Sequence, residues 1–302
     1  MLKRALITSA MVQVAHAIFS CDPGTVTDVR THFGDQLPQD TSTTEGPLPE
    51  SWGQNGSFAR LRSLVMYNSD IDEAYPDSFN LGGFTSHLPI SWGAPSSFPN
   101  LETLSLFGYN LIGTLPDNWG CSSCFPKLRI LQLAGSTNLT GTLPTTWSSP
   151  GSCPQLIVLN LAVAALNSSI PAAWVSANAF PSLTYLSFAN TTLTGPIPSF
   201  NNSQLAVLDL SFSTLSGNIS DLWSSNATTI SAIGLTSVNI SGSFPEWFPQ
   251  FWSSLQILIV DNTSINGTIP TSWLQLTDVT ILRSGPIMIL EYKGYMHEET
   301  LR

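Results

Sequence analysis

The chain has 302 residues, carries 20 acidic residues against 10 lysines and arginines, and is only 10% charged. No Lys or Arg lies between Arg129 and Arg283, and no His between His87 and His297. The cations that would displace counterions from phosphates are missing, which excludes nucleic-acid binding, attraction to an anionic bilayer and a phosphate-bearing cofactor; no cofactor is expected.

Residues 1–17 read as a signal peptide: Lys3 and Arg4 form a basic start, Ala5 to Val14 is mostly apolar, and Ala15-His16-Ala17 fits a cleavage site. The alternative is an ordinary N-terminal helix, which would make the protein a cytoplasmic scaffold. Residues 18–41 form an N-terminal flank. Export is supported by ten N-x-[ST] sequons, at Asn55, Asn138, Asn167, Asn190, Asn201, Asn218, Asn226, Asn239, Asn262 and Asn266. The cysteines are Cys21, Cys121, Cys124 and Cys153. They lack the second pair or the close histidines of a zinc site, so no metal is expected, and oxidation in an exported protein is the better reading. Cys124 and Cys153 sit at similar places in adjacent repeats and are the candidate disulfide.

From 42 to 280 the chain repeats itself. The template LxxLxLxx(N/C)xL starts at Leu61, Leu101, Leu128, Leu156, Leu183, Leu205, Ile230 and Leu255, and after the first gap the intervals are 27, 28, 27, 22, 25 and 25 residues. Template positions 1, 4, 6 and 11 are apolar in nearly every copy. Period-two alternation in LxxLxL predicts one short strand per turn, with positions 4 and 6 inward. No turn can bury its leucines alone, so the turns must stack. The fold class is a leucine-rich-repeat solenoid: a parallel β-sheet on the concave side, with irregular, 3-10 or short helical convex segments. About eight full turns are expected, plus half turns at 42–52 and 80–92; repeat three carries one extra residue before Leu139.

Most turns continue with Gly at position 13, Pro at position 16 and Trp three residues later, as in "GTLPDNW" (113–119), "GTLPTTW" (141–147) and "GTIPTSW" (267–273), with Ser220 in the proline's place before Trp223. Gly permits a tight bend and Pro, without an N–H, stops strand pairing. Trp52, Trp92, Trp119, Trp147, Trp174, Trp223 and Trp273 should form one column filling the convex side. A carbohydrate-binding ladder is the sharper alternative, but a constant template place is what a core position requires. The Asn common at position 9 is replaced mostly by Ser or Thr, whose hydroxyls could satisfy loop backbone groups. Residues 281–302 break the pattern and read as an atypical, possibly truncated tail, and no 18-residue apolar run is present.

"LSLFGYNLIGTLPDNW" (104–119) and "LTGTLPTTW" (139–147) resemble the leucine-rich-repeat surface antigens of kinetoplastid protists, the promastigote-surface-antigen type, and more distantly plant-type extracellular leucine-rich-repeat proteins. The resemblance covers roughly residues 42–280. It implies display or secretion and recognition of a protein or glycan, without catalysis. That family often ends in a cysteine-rich cap, a Thr-rich stalk and an anchor, none of which is visible in this sequence, so membrane attachment would need an anchor that this sequence does not show.

Catalytic constellations are not expected. A His-based triad is excluded from the solenoid beyond His87, since residues 88–296 hold no histidine. Asp209 and Asp261 lie two turns apart, on the order of 10 Å, too far for a retaining carboxylate pair. "NSDIDEAYPD" (68–77) fails the EF-hand pattern, with Glu73 in place of the loop glycine. What remains is the concave face, built from positions 3, 5, 7 and 8, with Tyr67, Phe107, Gln132, Asn160, Tyr185, Asp209, Phe212 and Asp261 as candidate ligand contacts. The expected function is non-catalytic extracellular or cell-surface recognition or adhesion. A structural, glycosylated surface coat is the alternative.

Overall fold

The computed structural model describes residues 47–53, 59–65, 85–107, 109–201, 204–222, 229–276, 280–283 and 288–291. The leader, the N-terminal flank, Cys21, Asn55, Tyr67, the acidic stretch 68–77, Trp223 and Asn226 lie outside them.

The strand in each repeat falls on template positions 3–5. β1 (Ser63–Val65), β3 (Thr103–Ser105), β5 (Ile130–Gln132), β7 (Val158–Asn160), β9 (Tyr185–Ser187), β11 (Val207–Asp209), β13 (Ala232–Gly234) and β15 (Ile257–Ile259) pair in that order, all parallel. Register places Leu64, Leu104, Leu131, Leu159, Leu186, Leu208, Ile233 and Leu258 in one row, every one buried. The sheet then extends through β17 (Thr280–Arg283) to an antiparallel edge strand, β18 (Met288–Glu291), inside the segment where the repeat pattern dies.

A second set of strands was not legible as such. β2 (Thr85–His87), β4 (Asn110–Thr114), β6 (Asn138–Gly141) and β8 (Ala165–Leu166) form one parallel flanking sheet; β10 (Thr194–Pro196), β12 (Thr214–Asn218), β14 (Asn239–Ser243) and β16 (Ser264–Asn266) form another. Six of them bury a template-11 residue, Leu111, Leu139, Leu166, Leu215, Ile240 and Ile265; β2 buries Ser86 instead, and the template-11 Leu193 lies just before β10. The glycines that close these strands, Gly113, Gly195, Gly242 and Gly267, have φ between 80° and 95°, a region open to glycine without steric cost. Among the described residues the convex side carries 3-10 turns, such as Asp117–Gly120 and Thr145–Ser148, and one short helix, α1 (Phe248–Phe251).

The recurring Pro-x-x-Trp phrase is a core device. Trp52, Trp92, Trp119, Trp147 and Trp174 stack nearly parallel, with centroids 6.1–6.4 Å apart. The carbonyls of Pro49, Pro89, Pro116 and Pro144 each accept two bonds. One comes from the backbone N–H of its own turn's tryptophan, as from Trp119 to Pro116 at 3.2 Å. The other comes from the indole N–H of the next turn, as from Trp147 to the same Pro116 at 2.9 Å. The pattern repeats for Trp92 on Pro49, Trp119 on Pro89, Trp174 on Pro144 and Trp273 on Pro245. From Trp92 to Trp174 the column is therefore buried and hydrogen-bonded, and the carbohydrate-ladder alternative fails for these residues. Phe248 stands at the tryptophan place in "PEWF", and its ring lies 5.2 Å from that of Trp273.

The expected Cys124–Cys153 pairing is not formed. Cys121 and Cys124 are joined, with Cα atoms 5.1 Å apart, and Cys153 is a buried free thiol. The two cysteines are one template place apart. Cys153 lies three residues before its repeat start and takes the place of Phe98, Phe125 and Phe180. Cys124 lies four residues before, in line with Ser97 and Ser152, and touches the Gly93 carbonyl as those serines touch the Gly53 and Gly120 carbonyls. A one-residue offset points the two sulfurs along different columns. Burial pushes the Cys153 thiol up to about 12.

The Ser and Thr at position 9 act as anticipated. The Thr191, Ser213 and Thr263 hydroxyls donate to the carbonyls three residues earlier, at 2.7–2.8 Å. Ser136 donates to the Tyr109 carbonyl of the turn before it. At the N-terminal end, the Glu50 carboxylate accepts from the Ile90 and Ser91 N–H groups at 3.0 and 2.8 Å, so one turn caps the 3-10 segment of the next.

Candidate recognition site on the concave face

Position 4 points to the core, so positions 3 and 5 of each strand face the concave side. This face is ordered into lateral rows. Position 3 is mainly apolar from Ile130 to Ile257. Position 5 runs Ser105, Gln132, Asn160, Ser187 and Asp209 between Val65 at one end and Gly234 and Ile259 at the other. Position 7 runs from Phe107 through Ala134, Ala162 and Ala189 to Ser211, Thr236 and Asp261.

Position 5 has a local job that the sequence did not advertise. Its side-chain oxygen accepts the N–H two residues on: Asn160 from Ala162 at 3.1 Å, Ser187 from Ala189 at 3.4 Å and Asp209 from Ser211 at 3.0 Å. Such Asx-type turns end the strand and start the bend at position 8. There the backbone is left-handed in every described copy from Gly135 on: Val163, Asn190, Phe212, Ser237 and Asn262 have φ between 53° and 61°.

Exposure differs along the face, and part of the expectation is corrected. Gln132, Asn160, Phe212 and Asp261 are partly accessible, and Phe107 is 40% exposed. Tyr185 and Asp209 were expected on an open surface; they are buried, at 7% and 5% exposure. Val207, Ala232 and Ile259 are buried with Tyr185 as a small apolar cluster separate from the main core. On adjacent strands of one face such side chains are direct cross-strand neighbours and shield one another. The candidate residues do not converge on one point. Asp209 and Asp261 are separated by the intervening β13 turn, as their spacing implied. Tyr67 lies outside the described residues.

The chemically distinctive place is around Asp209. Its carboxylate accepts the Ser211 N–H and hydroxyl, and the Ser211 oxygen accepts the Thr236 N–H at 3.2 Å. Gly234 lies beside it; a Cβ there would come within 2.6 Å of Asp209 Oδ1. Only glycine leaves room for the carboxylate to lean across the next strand. Burial raises the Asp209 pKa, and the two Ser211 bonds oppose this. Burial, and then the Asp209 charge, push the Tyr185 phenol up to about 12 against a Ser187 hydrogen bond. Among the described residues no group of three His, Cys, Asp or Glu is placed to hold a metal.

No protein-family model and no curated protein matches the chain. Solved structures do. The plant peptide hormone receptor RGFR1, in complex with RGF2, superposes with a TM-score of 0.63 at 24% identity, over 79% of this chain and 34% of that one. The ectodomain of the Arabidopsis receptor kinase HAESA, in complex with an N-terminally extended IDA peptide hormone, gives 0.59 at 29% identity, over 79% and 40%. This chain is a leucine-rich-repeat solenoid. A plant ice-binding protein shares the fold, at 0.53 and 22% identity over 75% and 71%. The solenoid spans only about a third of RGFR1 and two fifths of the HAESA chain.

Of the sequons, Asn138, Asn167, Asn190, Asn201, Asn239, Asn262 and Asn266 are exposed. Asn218 is half-buried, and its side-chain oxygen accepts the Ser220 N–H and hydroxyl at 3.0 and 2.9 Å, capping a 3-10 turn.

Proposed function

We propose that the protein is an exported, non-catalytic recognition module that binds a protein or peptide along the concave face of its solenoid. The observation that carries this reading is the row order of that face: from β5 to β11 an apolar row lies beside a polar one, which is what an extended chain with alternating side chains can follow. The HAESA ectodomain, 29% identical, is recorded with a peptide hormone, which supports a peptide-sized partner. The disulfide between Cys121 and Cys124 supports an oxidising compartment, and with it the leader at 1–17. Within the exported class, the Leu-x-Gly-Thr-Leu-Pro-x-x-Trp half-turn favours the kinetoplastid surface-antigen type, for which the resemblance implies a protein or glycan partner.

The test is a binding screen with the glycosylated full chain immobilised, against extracellular proteins and secreted peptides of its source and of cells it contacts. Saturable binding that is weakened by substitutions at Gln132 and Asn160 supports the reading. Binding unaffected by any concave substitution overturns it.

A glycosylated coat is the second reading, favoured by the seven exposed sequons. Glycopeptide mapping should find glycans on exposed Asn239 and Asn266 and none on Asn218, which is half-buried with its side-chain oxygen held by Ser220. High copy number together with no partner would favour the coat.

A further inference from the structure

The cations of this acidic chain are not spread evenly. Between Arg30 and Arg283 the lysines and arginines are Arg60, Arg62, Lys127 and Arg129. They occupy two template places, position 2 and the residue just before position 1, in the first and third full turns. Stacking gathers them around the second turn. The Glu102 N–H donates to the Arg62 carbonyl at 2.7 Å, and the Arg129 N–H donates to the Glu102 carbonyl at 2.8 Å. The strands that follow pair Ser63 with Thr103 and Thr103 with Ile130. Two strand spacings put the backbones of Arg62 and Arg129 about 10 Å apart. The other row is tied laterally too: the Asn100 amide donates to the Ala59 carbonyl and accepts from Lys127 Nζ, both at 2.6 Å.

All four cations are exposed. Glu102 is the one carboxylate in these two rows. It lies 3.7 Å from the Arg62 guanidinium, whose side chain stays 71% accessible, so the pair neutralises little. Among the described residues no carboxylate pairs with Arg60, Lys127 or Arg129. From the fourth turn on both rows are uncharged, from Gln155 and Ile157 to Ser254 and Gln256. No sequon lies between Asn55 and Asn138, so no N-glycan is attached within the patch.

We propose that this basic rim of the first three turns binds a sulfated glycan chain on a surface that the protein contacts. Like charges held side by side repel until an anion lies among them, so the ligand carries several negative groups. Arginine, the residue at three of the four places, presents a donor fork that matches paired oxyanion oxygens. Between the cations stand partly accessible Ser63, Asn100 and Thr103, whose hydroxyls and amide suit the hydroxyls of a sugar. An acidic peptide would want apolar anchors, and in 60–63, 100–103 and 127–130 the one partly accessible apolar side chain is Ile130. The same stretches hold no aromatic ring on which a nucleic-acid base could stack, and the net charge of −10 turns away a long duplex. The rim uses none of the side chains on which the concave-face reading is tested, so the two can fail separately.

The experiment titrates the full-length glycoprotein with a heparin octasaccharide, the same octasaccharide after desulfation, poly-L-glutamate and a single-stranded oligonucleotide of similar charge. Saturable binding of the sulfated octasaccharide is expected, with the other three weaker by at least about tenfold. Its affinity should fall between about 50 and 200 mM salt with a log–log slope of about −3, from four cations at about −0.7 each. R60Q and K127Q should each reduce that slope by about one and the affinity by several-fold. R62E and R129E should each weaken binding about tenfold, and E102Q should tighten it several-fold, with melting temperatures showing that every variant is folded. No saturable binding, equal binding of any control probe, or unchanged affinity in folded R62E and R129E would overturn the proposal. Octasaccharide binding that survives substitution of Gln132 and Asn160, in a protein for which no concave partner is found, would keep the rim and overturn the concave-face reading.

Discussion

Replacing Trp147 by Phe tests whether the tryptophan column holds the solenoid together. Trp147 is buried, stacked on Trp119 at 6.2 Å and on Trp174 at 6.1 Å, and donates its indole N–H to Pro116. Phenylalanine cannot make that bond, which costs about 1 kcal/mol. The carbonyl it abandons is not orphaned, because the Trp119 backbone N–H still reaches it, so the larger penalty for an unsatisfied buried acceptor does not apply. The smaller ring leaves roughly 40 Å³, about 1 kcal/mol at about 24 cal/mol per Å³. Weaker stacking on two neighbours adds up to about 1 kcal/mol. The sum is about 2–3 kcal/mol, or a fall of about 5–10 °C in melting temperature for a chain of this size. Urea unfolding followed by tryptophan fluorescence and circular dichroism measures it. The control is Trp52→Phe at the N-terminal end of the column, where the indole is only partly buried; it should cost less than half as much, since each repeat leans on its neighbours. A loss below about 0.5 kcal/mol for W147F, or equal losses for the two variants, would refute the core assignment.

Three further outcomes are expected. Val163 is β-branched at a left-handed position with φ 61°, where neighbouring repeats use Gly135 and Asn190, so V163N should stabilise the fold by about 0.5–1 kcal/mol in urea titrations. The raised Asp209 pKa means that the folded state holds this proton more tightly than the unfolded chain does. Stability from this group is therefore lost as pH rises from the unfolded value through the folded one. D209N should melt at the wild-type temperature in strong acid and above it at neutral pH; a variant that is less stable at neutral pH would show the sign to be wrong. Cys153, with its thiol pushed up to about 12, should resist alkylation at pH 8 in the native protein and react at once in denaturant, while peptide mapping finds Cys121 joined to Cys124.

The repeat determined a great deal by itself. Leucines at positions 4 and 6, a glycine for the left-handed bend and a proline that ends strand pairing can all be satisfied only by stacking turns, so the concave sheet and the buried Trp column followed from spacing. The even-numbered flanking strands were less visible, because "NLIGT" and "SGS" are too short and too polar to show an alternating pattern. The cysteine pairing failed for a related reason: a one-residue difference in template phase, Cys124 against Cys153, decides which column a sulfur joins, and neither residue's chemistry reveals it. The concave candidates were placed on the right face but not at the right depth. Period two fixes the side of a sheet on which Asp209 lies. Its burial, its lean over Gly234 and its bonds to Ser211 depend on which side chains three adjacent turns bring together, and that is settled only when the turns stack.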